Sequence, residues 1–386
     1  MNGQDTTGFW GDSVTQFFYA LTPDRIIEAV EKALGRRCTG QLSALNSMEN
    51  RVYELRFETD QDDTTDDQRD PSMLARATIK HGRRRPSSEG IIAKFYRPGR
   101  WSRAQILEEH AFLRELNDHE IPAVAPLPLA DGSGTLGQLA QGPIFFALFP
   151  KIMGRAPDEI TADDAALVGR LLARIHQVGR SKPAPSRPVL TPTTMGLKSL
   201  ETLLSLSLIP DRWRQEYQDL VTAMIHRFEP WFRDVEPIRI HGDCHLGNLI
   251  YGHWQPFHQV SAGPVGSQAP ARSFFFVDFD DTMMGPAVQD LWLLAPGRDE
   301  TSQELLRTLV HHYTSMTQFD PQALRLIEPL RTLRMIHFSS WIARRWQDPS
   351  FPRVFETFGT DTYWAEQVRN LREQHQIVMG DDLKKW

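Results

Sequence analysis

The residues best suited to chemistry lie in two short stretches, His241-Gly242-Asp243-Cys244-His245-Leu246-Gly247-Asn248 and Phe274-Phe275-Phe276-Val277-Asp278-Phe279-Asp280-Asp281. Each is a polar island beside a strand-like run: Pro237-Ile238-Arg239-Ile240 precedes the first, and Phe274 to Val277 opens the second. That layout suits loops that bring a carboxylate, an amide and a second carboxylate to one point. Carboxylate and amide oxygens are hard ligands, the kind Mg2+ takes when it also carries substrate phosphates. With Asp243 as base and Asn248 and Asp278 on the metal, the set matches what phosphoryl transfer requires. Two other readings stay open on these residues alone. Asp243 and Asn248 are common turn formers, and His241, Asp243, His245 and Asp278 could instead bind zinc and activate water.

The elements around these stretches decide what they can reach. Thr22-Pro23-Asp24 predicts a helix start, with Thr22 as N-cap and Gly35 as the stop. Short strands are expected over Gln41 to Asn46 and Asn50 to Phe57, and a third over Ile91 to Tyr96, which carries Lys94. Ser102 to Asn117 reads as a helix with Ile106, Leu113 and Leu116 on its apolar side and Glu108-Glu109 near its middle. Gly132-Ser133-Gly134-Thr135-Leu136-Gly137 matches a glycine-rich phosphate loop, but a strand, Pro143 to Phe149, follows where a helix is needed, so a hairpin turn is expected. After Phe149-Pro150-Lys151-Ile152-Met153-Gly154 the character becomes helical: Ala162 to Val178, Ser199 to Leu206, Arg212 to Phe228, Glu300 to Met316 and Pro321 to Trp346. Two stretches read as surface insertions, the acidic-then-basic residues 58–90 with Ser87-Ser88 at the tip, and residues 253–273.

Composition sets outer limits. A chain of 386 residues with 40% hydrophobic and 24% charged content has room for two lobes and a sizeable core. The net charge of -6 argues against a general nucleic-acid binder. Two cysteines, Cys38 and Cys244, are too few for a disulfide framework and fit a reducing compartment. Cys244 beside the candidate base is either a redox-sensitive thiol or a small buried one. No leader-like N-terminus and no long apolar run is present, so a cytoplasmic protein is expected.

Taken in order, a strand lysine, a helix glutamate, a connector, H-G-D-x-x-x-x-N and V-D-x-D resemble the aminoglycoside phosphotransferase and choline kinase-like group of the protein-kinase-like fold. Within that group the detail is similar to a bacterial stress-response branch of Ser/Thr protein kinases. The finer match is carried by Leu45-Asn46-Ser47-Met48-Glu49-Asn50-Arg51-Val52-Tyr53, Lys94-Phe95-Tyr96-Arg97-Pro98 and Gln105-Ile106-Leu107-Glu108-Glu109-His110. Gly285-Pro286-Ala287-Val288-Gln289-Asp290-Leu291-Trp292 and Trp341-Ile342-Ala343-Arg344-Arg345-Trp346 continue it. The resemblance runs from about Leu21 to the C-terminal region, outside the two insertions.

The resemblance implies an α+β, bilobal fold: a loosely ordered 1–21, a strand-rich ATP-binding lobe with one main helix over 22–150, and a mostly helical catalytic lobe over 151–386. It implies ATP as co-substrate with Mg2+, a monomer, and transfer to a protein Ser/Thr hydroxyl or, as the alternative, to a small-molecule hydroxyl of aminoglycoside, choline or homoserine type. Asp243 would accept or orient the attacking hydroxyl, and Asn248 and Asp278 would ligate Mg2+. Lys94 would hold the α and β phosphates, positioned by Glu109 rather than Glu108, and Ser47 would meet a phosphate oxygen. Asp290 would brace the catalytic loop, and Phe149 to Met153 would border the adenine. Two departures stand out. The Leu45–Tyr53 turn has no glycine, and Asp280 replaces the glycine of an Asp-Phe-Gly segment, either as a further metal ligand or as a hydrogen-bonded loop acid. A nucleotide-binding regulator without catalysis is a third reading, disfavoured because every expected catalytic residue is present.

Overall fold

The computed structural model describes residues 18–58, 90–140, 142–254 and 273–380. Ser87-Ser88 and nearly all of both expected insertions lie outside these residues. Gly90, His253, Trp254 and Ser273, at the edges of those insertions, belong to strands.

Helix α1 (Pro23–Leu34) begins on a proline, whose fixed φ suits the first turn. It ends at Gly35, whose φ of 65° is the left-handed conformation a glycine adopts without strain. Thr22 stands at the N-cap with extended backbone but makes no side-chain cap bond. Strands β1 (Cys38–Leu45), β2 (Arg51–Phe57) and β3 (Gly90–Phe95) follow, then α2 (Arg103–Asp118), β4 (Gly137–Gln138) and β5 (Phe145–Pro150). They form one antiparallel sheet in the order β1-β2-β3-β5-β4. Ile26, Val30, Leu55, Phe57, Ile91 and Phe95 bury the core between α1 and the sheet. Gly132 and Gly134 lie in a turn, but it is not the hairpin turn expected: irregular chain precedes it, Gly137 already belongs to β4, and the link from β4 to β5 follows the glycines.

Alternation decides which residues of β3 face the core and which face the opposite side. Ile91, Ala93 and Phe95 join the core, whereas Ile92 and Lys94 line a cleft on the opposite face. Helix α2 starts from a capping box in which Ser102 Oγ accepts from the Gln105 amide and Gln105 Oε1 accepts from the Ser102 amide. Its apolar face does not belong to the sheet core. Ile106, Phe112 and Leu113 join the large core of the helical half, and Phe112 meets Phe279 edge-on at 5.9 Å. One face of this helix is therefore fixed to the segment that carries Asp278.

The second half holds β6 (Ile152–Arg155), α3 (Ala162–Ser181), α4 (Lys198–Ser205), α5 (Asp211–Arg233), β7 (Ile238–Ile240), β8 (Leu249–Trp254), β9 (Ser273–Phe276) and β10 (Met283–Gly285). The helices α6 (Val288–Trp292), α7 (Glu300–Thr314), α8 (Ile327–Arg345), α9 (Ser350–Val354) and α10 (Asp361–Met379) complete it. Strands β8 and β9 pair as a hairpin with β6 on the outer side of β8, and β7 pairs with β10.

Three expectations need correction. Residues 18–20 are a 3-10 turn rather than loosely ordered chain, and the Phe18 ring lies under the Arg51 and Arg97 guanidinium groups. The helix expected over Pro321 to Trp346 divides into a 3-10 segment, Pro321–Leu326, capped by Asp320, and α8. Helix α10 was not expected, because its apolar residues are interspersed with polar and charged ones. Trp364, Val368, Leu371 and Val378 nevertheless form a buried stripe, and Trp364 packs edge-on against Tyr217 of α5. Among the described residues, no helix is long and apolar enough to cross a membrane.

Candidate active site

A cleft of about 830 Å3 opens between the sheet and the helical half. The site residues expected from sequence, Ser47, Lys94, Glu109, Asp243, Asn248 and Asp278, all line it. Phe149, Pro150, Lys151 and Ile152 border it at the connector, while the glycines at 132, 134 and 137 do not.

Lys94 is the hub of the sheet side. Its Nζ lies 2.9 Å from Asp278 Oδ1, 3.3 Å from Asp280 Oδ1 and 3.6 Å from Glu109 Oε1. Burial alone would push its pKa down, but the three carboxylates win and hold the ammonium well above its ordinary value. One buried ammonium cannot neutralise three acids. Glu109, nearly fully buried and the most distant of them, is held up, first by burial and then by the neighbouring aspartates. The adjacent Glu108 is elsewhere, accepting the amides of Ser186 and Arg187.

Asp280 does not serve as an open ligand. Buried, it takes Arg100 and the Asn50 amide on one oxygen and Lys94 on the other. Burial would raise its pKa, but Lys94 and Arg100 hold it below the usual carboxylate range. Arg100 also pairs with Asp281. Asp278, by contrast, keeps half of its side-chain surface exposed and stands in the left-handed region, φ 59°, which is uncommon for a non-glycine residue.

The loop after β7 is held by a second buried acid. Asp290 accepts the amides of His241 at 2.8 Å and Gly242 at 2.9 Å, and His176 meets it at 2.9 Å. Gly242 has φ 87°, and a Cβ there would overlap the Asp281 carbonyl oxygen, so the position requires glycine. His241 is buried against the Phe279 ring. Its Nε2 meets the Val277 carbonyl at 2.9 Å and its Nδ1 accepts the Asp243 amide at 3.4 Å. With both ring nitrogens engaged it has no lone pair for zinc, which argues against the hydrolase reading. Cys244 is buried, and burial pushes its thiol up, so it is the inert small thiol rather than a reactive one.

Asp243 projects from this loop with 28% of its side chain exposed. Arg334 of α8 donates to Oδ1 at 2.8 Å, and His245 Nε2 stands 3.4 Å from Oδ2. Burial would raise its pKa, but the His245 hydrogen bond and the Arg334 charge hold it well below the usual range. Asn248 spends its Nδ2 on the Asp243 carbonyl at 2.9 Å, leaving its amide oxygen as the group able to meet a cation. Ser47 Oγ accepts the Asn50 amide at 3.3 Å within the β1–β2 turn.

Several residues of the site were not singled out from sequence. Arg334 binds Asp243 across 91 positions, and Asn50 and Arg100 hold Asp280 across 230 and 180. Such separations leave no periodic mark. The only signal was that Asn50 and Glu49 lie in the Leu45–Tyr53 segment that carries the resemblance. As a whole the cleft offers an ammonium, an amide oxygen and an exposed carboxylate, enough to hold a polyphosphate with a hard cation, and a second carboxylate to meet a hydroxyl.

The family model of the phosphotransferase enzyme family (APH) matches residues 81–259. Stress response kinase A of Salmonella paratyphi A (strain ATCC 9150 / SARB42) is 34% identical over 368 residues, covering 95% of this chain and 96% of the relative. A protein of Salmonella typhimurium (strain LT2) named serine/threonine protein kinase RdoA is 34% identical with the same coverage. Among solved structures, the amicoumacin kinase hAmiN in complex with AMP-PNP, Ca2+ and Ami has a TM-score of 0.64 at 17% identity, covering 94% of this chain and 96% of its own. That likeness bears on the α+β kinase-like fold. The chain belongs to the stress response kinase A family of APH-type phosphotransferases.

Proposed function

We propose that the cleft binds Mg-ATP and transfers its γ-phosphoryl group to a serine or threonine hydroxyl of a protein. The observation that carries this is Lys94 buried among Glu109, Asp278 and Asp280 in the same cleft as Asp243 and Asn248. Lys94 takes the α and β phosphates and Glu109 aligns it. Ser47, in the turn above, offers its hydroxyl to a phosphate oxygen. The donor set suits Mg2+: the half-exposed Asp278 carboxylate and the Asn248 amide oxygen are hard ligands, few enough to leave places for phosphate oxygens. Bound there, Mg2+ supplies charge neutralisation between those oxygens.

Asp243 orients the acceptor hydroxyl and receives its proton late. Its depressed pKa makes it a weak base in the ground state, which fits a loose transition state that asks for positioning more than early deprotonation. A division near Pro150 into a nucleotide-binding part and a catalytic part belongs to this reading, as do a cytoplasmic, monomeric enzyme and a role in the stress response.

The protein acceptor is supported by the relative named as a Ser/Thr protein kinase and by the open side of the cleft. Arg334, His245 and Phe338 stand 45%, 42% and 47% exposed around Asp243. A small-molecule hydroxyl is the second reading, supported by the kinship of fold with an amicoumacin kinase. Asp243→Ala is expected to lose transfer by about 10²–10⁴-fold while binding an ATP analogue as wild type does. Near-wild-type turnover in that variant sinks the role given to Asp243.

A further inference from the structure

Two segments marked by the sequence, Leu45–Tyr53 and Trp341–Trp346, meet in the structure, and of them only Ser47 has a role in the reading above. Glu49, in the turn between β1 and β2, places Oε2 2.7 Å from Trp341 Nε1. Its Oε1 lies 2.9 Å from Arg345 Nη2 and 3.1 Å from Arg97 Nε. Arg97 also donates Nε to the Glu49 carbonyl and Nη2 to the Met48 carbonyl, and reaches Asp348 with Nη1 at 2.9 Å. The turn that carries Ser47 is thus tied to the C-terminal end of α8 through the Glu49 side chain, while its backbone carbonyls are held by Arg97, which also reaches Asp348 just beyond that helix.

The spacing of α8 gives this tie its meaning. Arg334, Trp341 and Arg345 stand seven and four residues apart, on one helical face. The first holds Asp243 and the other two hold Glu49. A glycine-free turn cannot approach phosphates by backbone freedom, so its height over Lys94 must be set from outside. A mostly buried carboxylate bound to several arginines is a costly contact to break and so a stiff one.

We propose that Glu49, clamped by Trp341 and Arg345, is a positioning residue that sets the Ser47 turn over the ATP phosphates, with α8 as the rigid element joining that turn to Asp243. This rests on the kinase reading of the cleft. The role is phosphate-specific, because Glu49 acts on the turn and not on the connector that borders the base.

The test is calorimetric titration of the full chain, in Mg2+, with a non-hydrolysable ATP analogue and separately with adenosine. Glu49→Gln is expected to weaken the analogue about tenfold and leave adenosine unchanged. Because Glu49→Gln leaves arginines short of a partner and could fold poorly, Trp341→Phe is run beside it. That variant keeps an aromatic ring, removes the indole N–H donor, and is expected to weaken the analogue about threefold with adenosine again unchanged. A folded variant that binds the analogue as wild type does, or loses both ligands in parallel, overturns the positioning role. A wild-type chain that binds neither ligand overturns the kinase reading itself, and this role with it.

Discussion

The two sides of the cleft are built in opposite ways. On the sheet side Lys94 and Glu109 keep 7% and 1% of their side-chain surface, and Lys94 joins Glu109 to Asp278 and to Asp280, which Arg100 and Asn50 hold in turn. At Asp243 the two charged partners are open, with Arg334 and His245 more than two-fifths exposed. A ligand common to every turnover can be met by a prebuilt, desolvated site, where fixed charges act strongly and need no rearrangement. An acceptor of larger and more variable shape needs an open approach. On the proposed function, the closed side would be the constant half of the reaction and the open side would be where acceptor choice resides.

The largest effect that can break this comparison is on the closed side. Lys94→Ala leaves Glu109, Asp278 and Asp280 without their shared cation, so transfer is expected to fall by about 10²-fold or more. Stability should fall with it by roughly 3–5 kcal/mol, the usual cost of orphaning a buried charge, read by denaturant titration. A variant as stable as wild type would mean that the network is slack and the contrast between the sides is false.

The next effect isolates the open side. Arg334→Met should raise the KM for the acceptor or lower kcat by about tenfold while the ATP KM stays put. Equal loss on both substrates would show that the two sides are not separable.

The smallest effect concerns the clamp between them. Glu49 is opposed by its own burial, yet Arg100, Arg345 and Arg97 bring its pKa down from 4.5 to about 2. The unfolded chain therefore takes up this proton more readily than the folded one. The stability Glu49 contributes is complete above about pH 4.5 and fades as pH falls toward 2. Melting curves across that window should fall more steeply for wild type than for Glu49→Gln, and parallel curves would remove Glu49 from the account.

What was legible in the sequence follows what is local. Pro23 and Gly35 bound α1, Ser102 with Gln105 starts α2, and alternation along β3 turns Lys94 toward the cleft, all within a few residues. The H-G-D stretch was legible as a loop, and the structure makes visible how Asp290 braces it through the His241 and Gly242 amides. Lost from view were contacts between distant residues: Arg334 on Asp243, Arg100 on Asp280, and Trp341 and Arg345 on Glu49. Arginines and glutamates read as solvated surface until the fold brings them together. Helix α10 was missed for a related reason: its thin apolar stripe makes sense only once α5 supplies Trp364 with Tyr217.

The most direct test incubates the chain with labelled ATP, Mg2+, candidate proteins and candidate small hydroxyl compounds, and identifies the labelled products by mass spectrometry. The account predicts phosphate on serine or threonine side chains, lost in Asp243→Ala. Label found only on a small hydroxyl compound would contradict the protein acceptor while leaving the phosphotransferase standing. Label on proteins undiminished in the variant would contradict the site itself.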